Sequence, residues 1–191
     1  KSQNSDFNIF EKKEIEKLYF ESMFELLGFI VNALDLRYFT EKYDENYIWM
    51  KHFWQIPPNT PTKNIFQKWL EESNKTTVLV SNNTLVDKLF SLYFKNKYYP
   101  KEKSLLRIKT GIKNSHAAEI LIINDTVVEI YFPKELLDKI DKLFSSFRNI
   151  INPTITNDIT ELAHMKAPIN LVILRNKNIA DKYKQEIEKY F

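Results

Sequence analysis

A mixed α/β fold, with a central mixed sheet flanked by helices and a helical region ahead of it, follows from three observations. Short apolar runs rich in Val, Ile and Leu alternate with longer stretches whose apolar residues recur every three to four positions. One segment, Glu119 to Phe132, reads as a strand, a two-residue turn and a second strand. Hydrophobic residues make up 43% and aromatics 14% of the 191 residues, which suffices for a packed core.

From Phe10 to Tyr38 the spacing predicts a helix. Ile15, Leu18, Tyr19, Leu26, Phe29, Ile30, Ala33 and Leu34 recur at helical intervals, with Asp6 as a candidate cap. Gly28 lies inside this pattern, where it marks a kink or a close helix contact. An aromatic stretch, Tyr43 to Trp54, ends at Pro57, Pro58 and Pro61. A short helix over Thr62 to Glu72 follows, with Ile65, Phe66, Trp69 and Leu70 on its apolar side. The chain therefore divides into a helical region, 1–72, which is a candidate dimerisation element, and an α/β domain, 73–191.

The second half repeats one scheme: apolar strand, polar turn, amphipathic helix. Thr77 to Ser81 is a β-branched run, Asn82, Asn83 and Thr84 are capping types, and Leu85, Val86, Leu89, Phe90 and Tyr93 form a helical face. Leu105 to Lys109 alternates as a half-buried strand does. In the hairpin, Asn124 and Asp125 tolerate the backbone conformation that a two-residue turn demands. Pro133 suits a helix start, and Leu136, Leu137, Ile140, Leu143, Phe144 and Phe147 line the helix behind it. A polar loop, the strand Ile169–Leu174, a connection at Arg175 to Asn178 and a closing helix, Ile179 to Phe191, complete the chain.

Composition narrows the function classes. Without cysteine there is no disulfide framework, thiol nucleophile or cysteine-based metal site, and a reducing, cytoplasmic location is expected. Three Asn-x-Thr triplets, at Asn74, Asn82 and Asn124, are expected by chance in so Asn-rich a chain. Two glycines, Gly28 and Gly111, cannot build a glycine-rich phosphate loop. No apolar run reaches a membrane-spanning length, so no membrane partner is expected. The net charge of +3 is mild, although Lys95 to Lys113 carries seven basic residues against Glu102 alone, interleaved with Tyr98 and Tyr99.

The histidines are the catalytic candidates that position singles out; among the 25 acidic residues no spacing selects a carboxylate pair. His116 precedes the hairpin and can act as an acid, a base or a phosphate contact. His52 stands among Trp49, Phe53 and Trp54 and reads as packing, while His164 has no partner in sequence. Their scatter predicts neither a metal site nor a cofactor. Polar residues at strand ends are the stronger candidates, because ligands of α/β sheets gather there beside helix N-termini. Ser81, Asn83 and Thr84 follow one strand, and Arg175 and Asn176 follow another. Each also serves as an ordinary cap or turn residue.

The order strand, helix, strand, hairpin, helix, strand, helix over Ser73 to Phe191 resembles the effector-sensing half of prokaryotic, mostly archaeal, transcriptional regulators with a degenerate phospholipase-D-like fold. The resemblance is carried by Ser115-His116 before the hairpin and by Pro168 to Arg175 with the closing helix. An active phospholipase-D signature is His-x-Lys followed four residues later by Asp. Here Ala118 stands at the Lys position and the nearest aspartate, Asp125, lies in the turn. The resemblance thus implies a non-enzymatic regulatory domain that dimerises and binds a small anionic ligand through Ser81, Asn83, Thr84, His116, Arg175 and Asn176. Nucleic acid would be bound by a domain outside this chain, for which a sequence opening on Lys1 leaves room. Two alternatives stand beside it: a phosphoesterase or nucleic-acid-processing enzyme using His116, and a protein-interaction module built on the N-terminal helix.

Overall fold

The computed structural model describes residues 14–53, 60–97, 105–113, 116–147 and 155–191. Seven strands form one mixed sheet in the order β1-β7-β6-β5-β2-β3-β4. They are β1 (Ile15–Phe20), β2 (Glu45–Met50), β3 (Lys75–Val80), β4 (Leu105–Thr110), β5 (Glu119–Ile123), β6 (Thr126–Tyr131) and β7 (Ile169–Arg175). The helices are α1 (Met23–Asp35), α2 (Thr60–Glu72), α3 (Leu85–Lys97), α4 (Lys134–Ser146), α5 (Ile155–His164) and α6 (Lys177–Glu188). β2, β3 and β4 run parallel, and the remaining pairs are antiparallel.

Strand alternation splits the core in two. Ile48, Met50, Val78, Val80, Leu121, Ile123, Val128 and Ile130 join one large cluster with the buried faces of α1 to α4. On the other face Tyr47, Trp49, Leu79, Ile120, Ile122 and Val127 pack against Ala180 and Ile187 of α6. β5, buried along its whole length, sits centrally and reads as a continuous apolar run for that reason.

The mixed α/β architecture is the one expected, and three elements within it differ. The segment read as one helix from Phe10 to Tyr38 is strand β1 followed by α1, capped by Ser22, whose side chain accepts from Glu25 N at 3.2 Å. β1 is an edge strand that covers only Leu18 and Phe20, so its apolar pattern is too thin to separate the two periods. Asp6 lies outside the described residues, as do Trp54, Pro57 and Pro58. Because β1 and β2 pair with strands from the second half, the sheet crosses the division at residue 72. The stretch read as a polar loop before β7 contains α5, whose Leu162 and Ala163 are partly buried against the large cluster.

α2 opens at Thr60, two residues early, with Pro61 in its first turn, where a missing amide donor costs nothing. The hairpin is as read: Asn124 takes a φ of +51°, and its side-chain oxygen accepts from the amides of Asp44 and Glu45 at 3.0 Å each. Gly28 marks no close helix contact, since nothing lies within 4 Å of the Cβ it lacks.

Candidate functional site

A cavity of about 490 Å³ opens where β2, β3 and β4 end and β5 begins. Ser81 and Asn82 enter it from the end of β3, Lys51 from β2, and Gly111 and Lys113 from β4. His116, Ala117 and Ala118 line it ahead of β5 and Glu119 at the start of that strand, while Phe132 and Leu137 close an apolar side. Its size and its mixture of apolar wall with a few polar groups are those of a small-molecule pocket.

The cationic side is built by position in the fold. Lys51 follows the last residue of β2; its amide donates to Glu119 Oε1 at 2.9 Å and its ammonium to Asp141 Oδ2 at 2.6 Å. Glu119 is buried and is itself one of the residues that line the cavity. His116 is wedged between Trp49 and Tyr183, with ring centroids at 5.4 and 5.2 Å, and its Nε2 lies 3.1 Å from Glu186 of α6.

Behind the pocket lies a buried polar chain that sequence reasoning missed. His52, 1% exposed, faces Asp87 through Nδ1 at 3.1 Å and Asp141 through Nε2 at 2.8 Å. The pocket residue Asn82 places Nδ2 2.8 Å from the same Nε2. Asp87 is fully buried and also accepts from Phe53 N at 2.9 Å, Thr84 N at 3.0 Å and Thr84 Oγ1 at 2.6 Å. Burial pushes its carboxyl up, but the hydrogen bonds from His52, Thr84 and Phe53 outweigh that and hold its pKa below the ordinary value. The packing expected of His52 is present as well, with its ring centroid 4.5 Å from that of Phe144. The lysine-histidine pair directly after an apolar strand was the signal available for the rest.

The six expected ligand residues do not share one site. Ser81 and His116 line the pocket. Thr84 instead caps α3, exchanging hydrogen bonds with Asp87 in a capping box. Asn83 is exposed and accepts from Thr110 Oγ1 at 2.8 Å. Arg175 and Asn176 lie at the opposite edge of the sheet. β7 runs against β6, so Arg175 pairs with Thr126, level with the start of β3 and about 17 Å from Ser81 along the strands. There Arg175 binds Glu16 and lies over the Tyr38 ring at 5.1 Å, and Asn176 caps α6 by accepting from Ile179 N at 3.2 Å. From the basic run, Lys113 reaches the pocket, while Tyr98, Tyr99, Lys101 and Lys103 lie outside the described residues, as does Ser115.

No protein-family model matches the sequence, and no curated protein sequence matches it. Solved structures do. TrmBL2, an archaeal chromatin protein whose structure shows a novel mode of DNA binding, superposes with a TM-score of 0.51 at 11% identity, over 97% of this chain and 54% of its own. Phosphatidylserine synthase of Haemophilus influenzae Rd KW20 gives 0.52 at 11% identity, over 93% of this chain and 37% of its own. Nuc of Salmonella typhimurium, a phospholipase D family member, gives 0.49 at 11% identity, over 92% and 91%. The likeness is one of fold. This chain spans about half the length of TrmBL2 and about a third of the synthase.

Proposed function

We propose that the chain is a non-enzymatic regulatory domain that binds a small anionic ligand in the pocket at the carboxyl ends of β2 to β4. One observation carries the reading: Lys51, Lys113 and His116 converge on a single cavity beside the polar Ser81 and Asn82, the buried Glu119 and an apolar wall of Phe132, Leu137 and two alanines. Two ammonium groups beside an apolar wall favour an acid with a carbon skeleton over a bare ion. Ala118, at the position where an active phospholipase-D signature carries lysine, supports binding without turnover. The likeness in fold to about half of a DNA-binding chromatin protein supports a place within a longer, cytoplasmic regulator whose nucleic-acid contacts lie elsewhere in that polypeptide.

A thermal-shift series with inorganic phosphate, small carboxylic acids and phosphate monoesters tests this. One of these classes raises the melting temperature of the chain by several degrees, and Lys51→Ala with Lys113→Ala abolishes the shift. Absence of any shift overturns the reading. So does hydrolysis of bis(p-nitrophenyl) phosphate that is lost in His116→Ala, which would instead make His116 the working residue of a phosphoesterase.

A further inference from the structure

The two ring nitrogens of His52 keep unlike company. Asp87, on α3, is surrounded by donors: the amides of Phe53 and Thr84 and the Thr84 hydroxyl all reach its carboxylate. A carboxylate held this way only accepts, so the ring nitrogen facing it, Nδ1 at 3.1 Å, carries a hydrogen. Nε2 faces two groups at once. The amide donor Asn82 Nδ2 and the carboxylate acceptor Asp141 Oδ1 each lie 2.8 Å from it. A ring nitrogen has a single in-plane direction for hydrogen bonding. Nε2 accepts from Asn82 when it bears a lone pair and donates to Asp141 when it bears a proton, never both. Because Nδ1 keeps its hydrogen throughout, the second case is the imidazolium.

Both rival partners lead to the pocket. Asn82 lines it, and Asp141 grips at 2.6 Å the ammonium of Lys51, which lines it too. We propose, resting on the anion-binding reading of this pocket, that Asn82 is a ligand residue gated by protonation of His52, so that anion binding is coupled to uptake of a proton. With the ring neutral, the Asn82 amide is engaged by Nε2, and the Asp141 carboxylate leans on Lys51. With the ring protonated, Nε2 donates to Asp141 and repels the Asn82 NH2, which swings toward the cavity. Asp141, drawn to the ring, then shares Lys51 more readily with an incoming acid. Both changes bring donors to where negative charge arrives, and both follow the same proton. By reciprocity a bound anion favours the protonated ring. The charged groups that face His52 among the described residues are Asp87 of α3 and Asp141 of α4, with Lys51 behind Asp141. α4 adds the Phe144 ring, and Glu119 of β5 holds the amide of Lys51. At 1% exposure the imidazole has no solvent to turn to, so its state is expressed through these contacts alone.

Inorganic sulfate is the probe, because it stays a dianion across the range of about pH 5 to 8 in which histidine changes charge. Calorimetric titration uses the full chain carrying His116→Gln, which removes the other histidine that lines the cavity. Sulfate binds about tenfold more tightly at the acid end of that range than at the alkaline end. Asn82→Ala on the same background brings the acid-end affinity down to near the alkaline value. A residue that merely shaped the wall would weaken binding equally at both ends. The unsubstituted chain supplies a second readout through nuclear magnetic resonance of ¹⁵N-labelled histidine. At a given pH within the range, sulfate raises the share of His52 whose Nε2 bears hydrogen, while Nδ1 stays protonated. Equal affinity at both ends overturns the proposal and leaves the pocket reading standing. So does an Asn82→Ala loss that is the same at both, or a His52 signal unmoved by bound sulfate. Absence of sulfate binding at the acid end overturns it as well, and the thermal-shift series then judges the pocket by itself.

Discussion

Asp87 concentrates more obligations than any other side chain near the pocket. It caps α3, fixes the Nδ1 side of His52 and holds the amide of Phe53. Asparagine keeps the shape but offers one acceptor oxygen where the carboxylate offers two. Asp87→Asn is expected to cost about 3–5 kcal/mol in urea denaturation, as breaking a buried pair does. A loss under about 1 kcal/mol would show that the chain from Asn82 to Asp87 is incidental to stability. Little of this was legible in the sequence. Thr84 and Asp87 have capping-box spacing, but Lys51 and His52, Glu119 and Asp141 come from three separate stretches, and only the fold brings them together. Arg175 was misplaced for a related reason. Polar residues follow β3 and β7 alike, and sequence does not say that the two strands point in opposite directions.

α6 shows how one helix can hold a sheet face through its far end. Glu188 binds Arg107 and, at 2.6 Å, Lys75; the last residues add Arg107 over the Phe191 ring and Lys109 on the Tyr190 carbonyl. Burial pushes the Glu188 carboxyl up, yet the hydrogen bonds from Arg107, Lys75 and Tyr47 bring it down to about 2 from an ordinary 4.5. A depressed folded-state value means stability that is whole above pH 4.5 and drains away as pH falls toward about 2. Glu188→Gln should flatten acid unfolding across that window. At neutral pH it should cost about 1 kcal/mol, because the side chain is a third exposed and solvent screens the pair. An unchanged acid limb would detach α6 from this account. Among the elements, α4 and the β5–β6 hairpin were plain from sequence because each buries a full, regular face. β1 and α5 were not, since each meets the core through two or three partly buried residues.

For the molecule as a whole, the burial of α1 bears on how association should be tested. Leu26 is fully buried and Ile30 nearly so, both within the chain's own core beneath the sheet. Leu26→Glu should therefore abolish cooperative thermal unfolding, seen by circular dichroism, rather than release a folded monomer. A folded, monomeric Leu26→Glu protein would return α1 to the role of a dimerisation helix. The pairing of β1 with β7 has a further consequence, in the order of assembly. Residues 15–20 find their partners about 150 residues later, which at about 5–20 residues per second is roughly eight to thirty seconds of synthesis. Until β7 emerges, β6 presents a raw margin and β1 has nowhere to dock, so the sheet is closed by the last strand made. The nascent chain thus passes through a stage in which its stickiest edge is finished and its cover is not. Its yield in a cell should depend on chaperones that shield that edge far more than its final stability suggests.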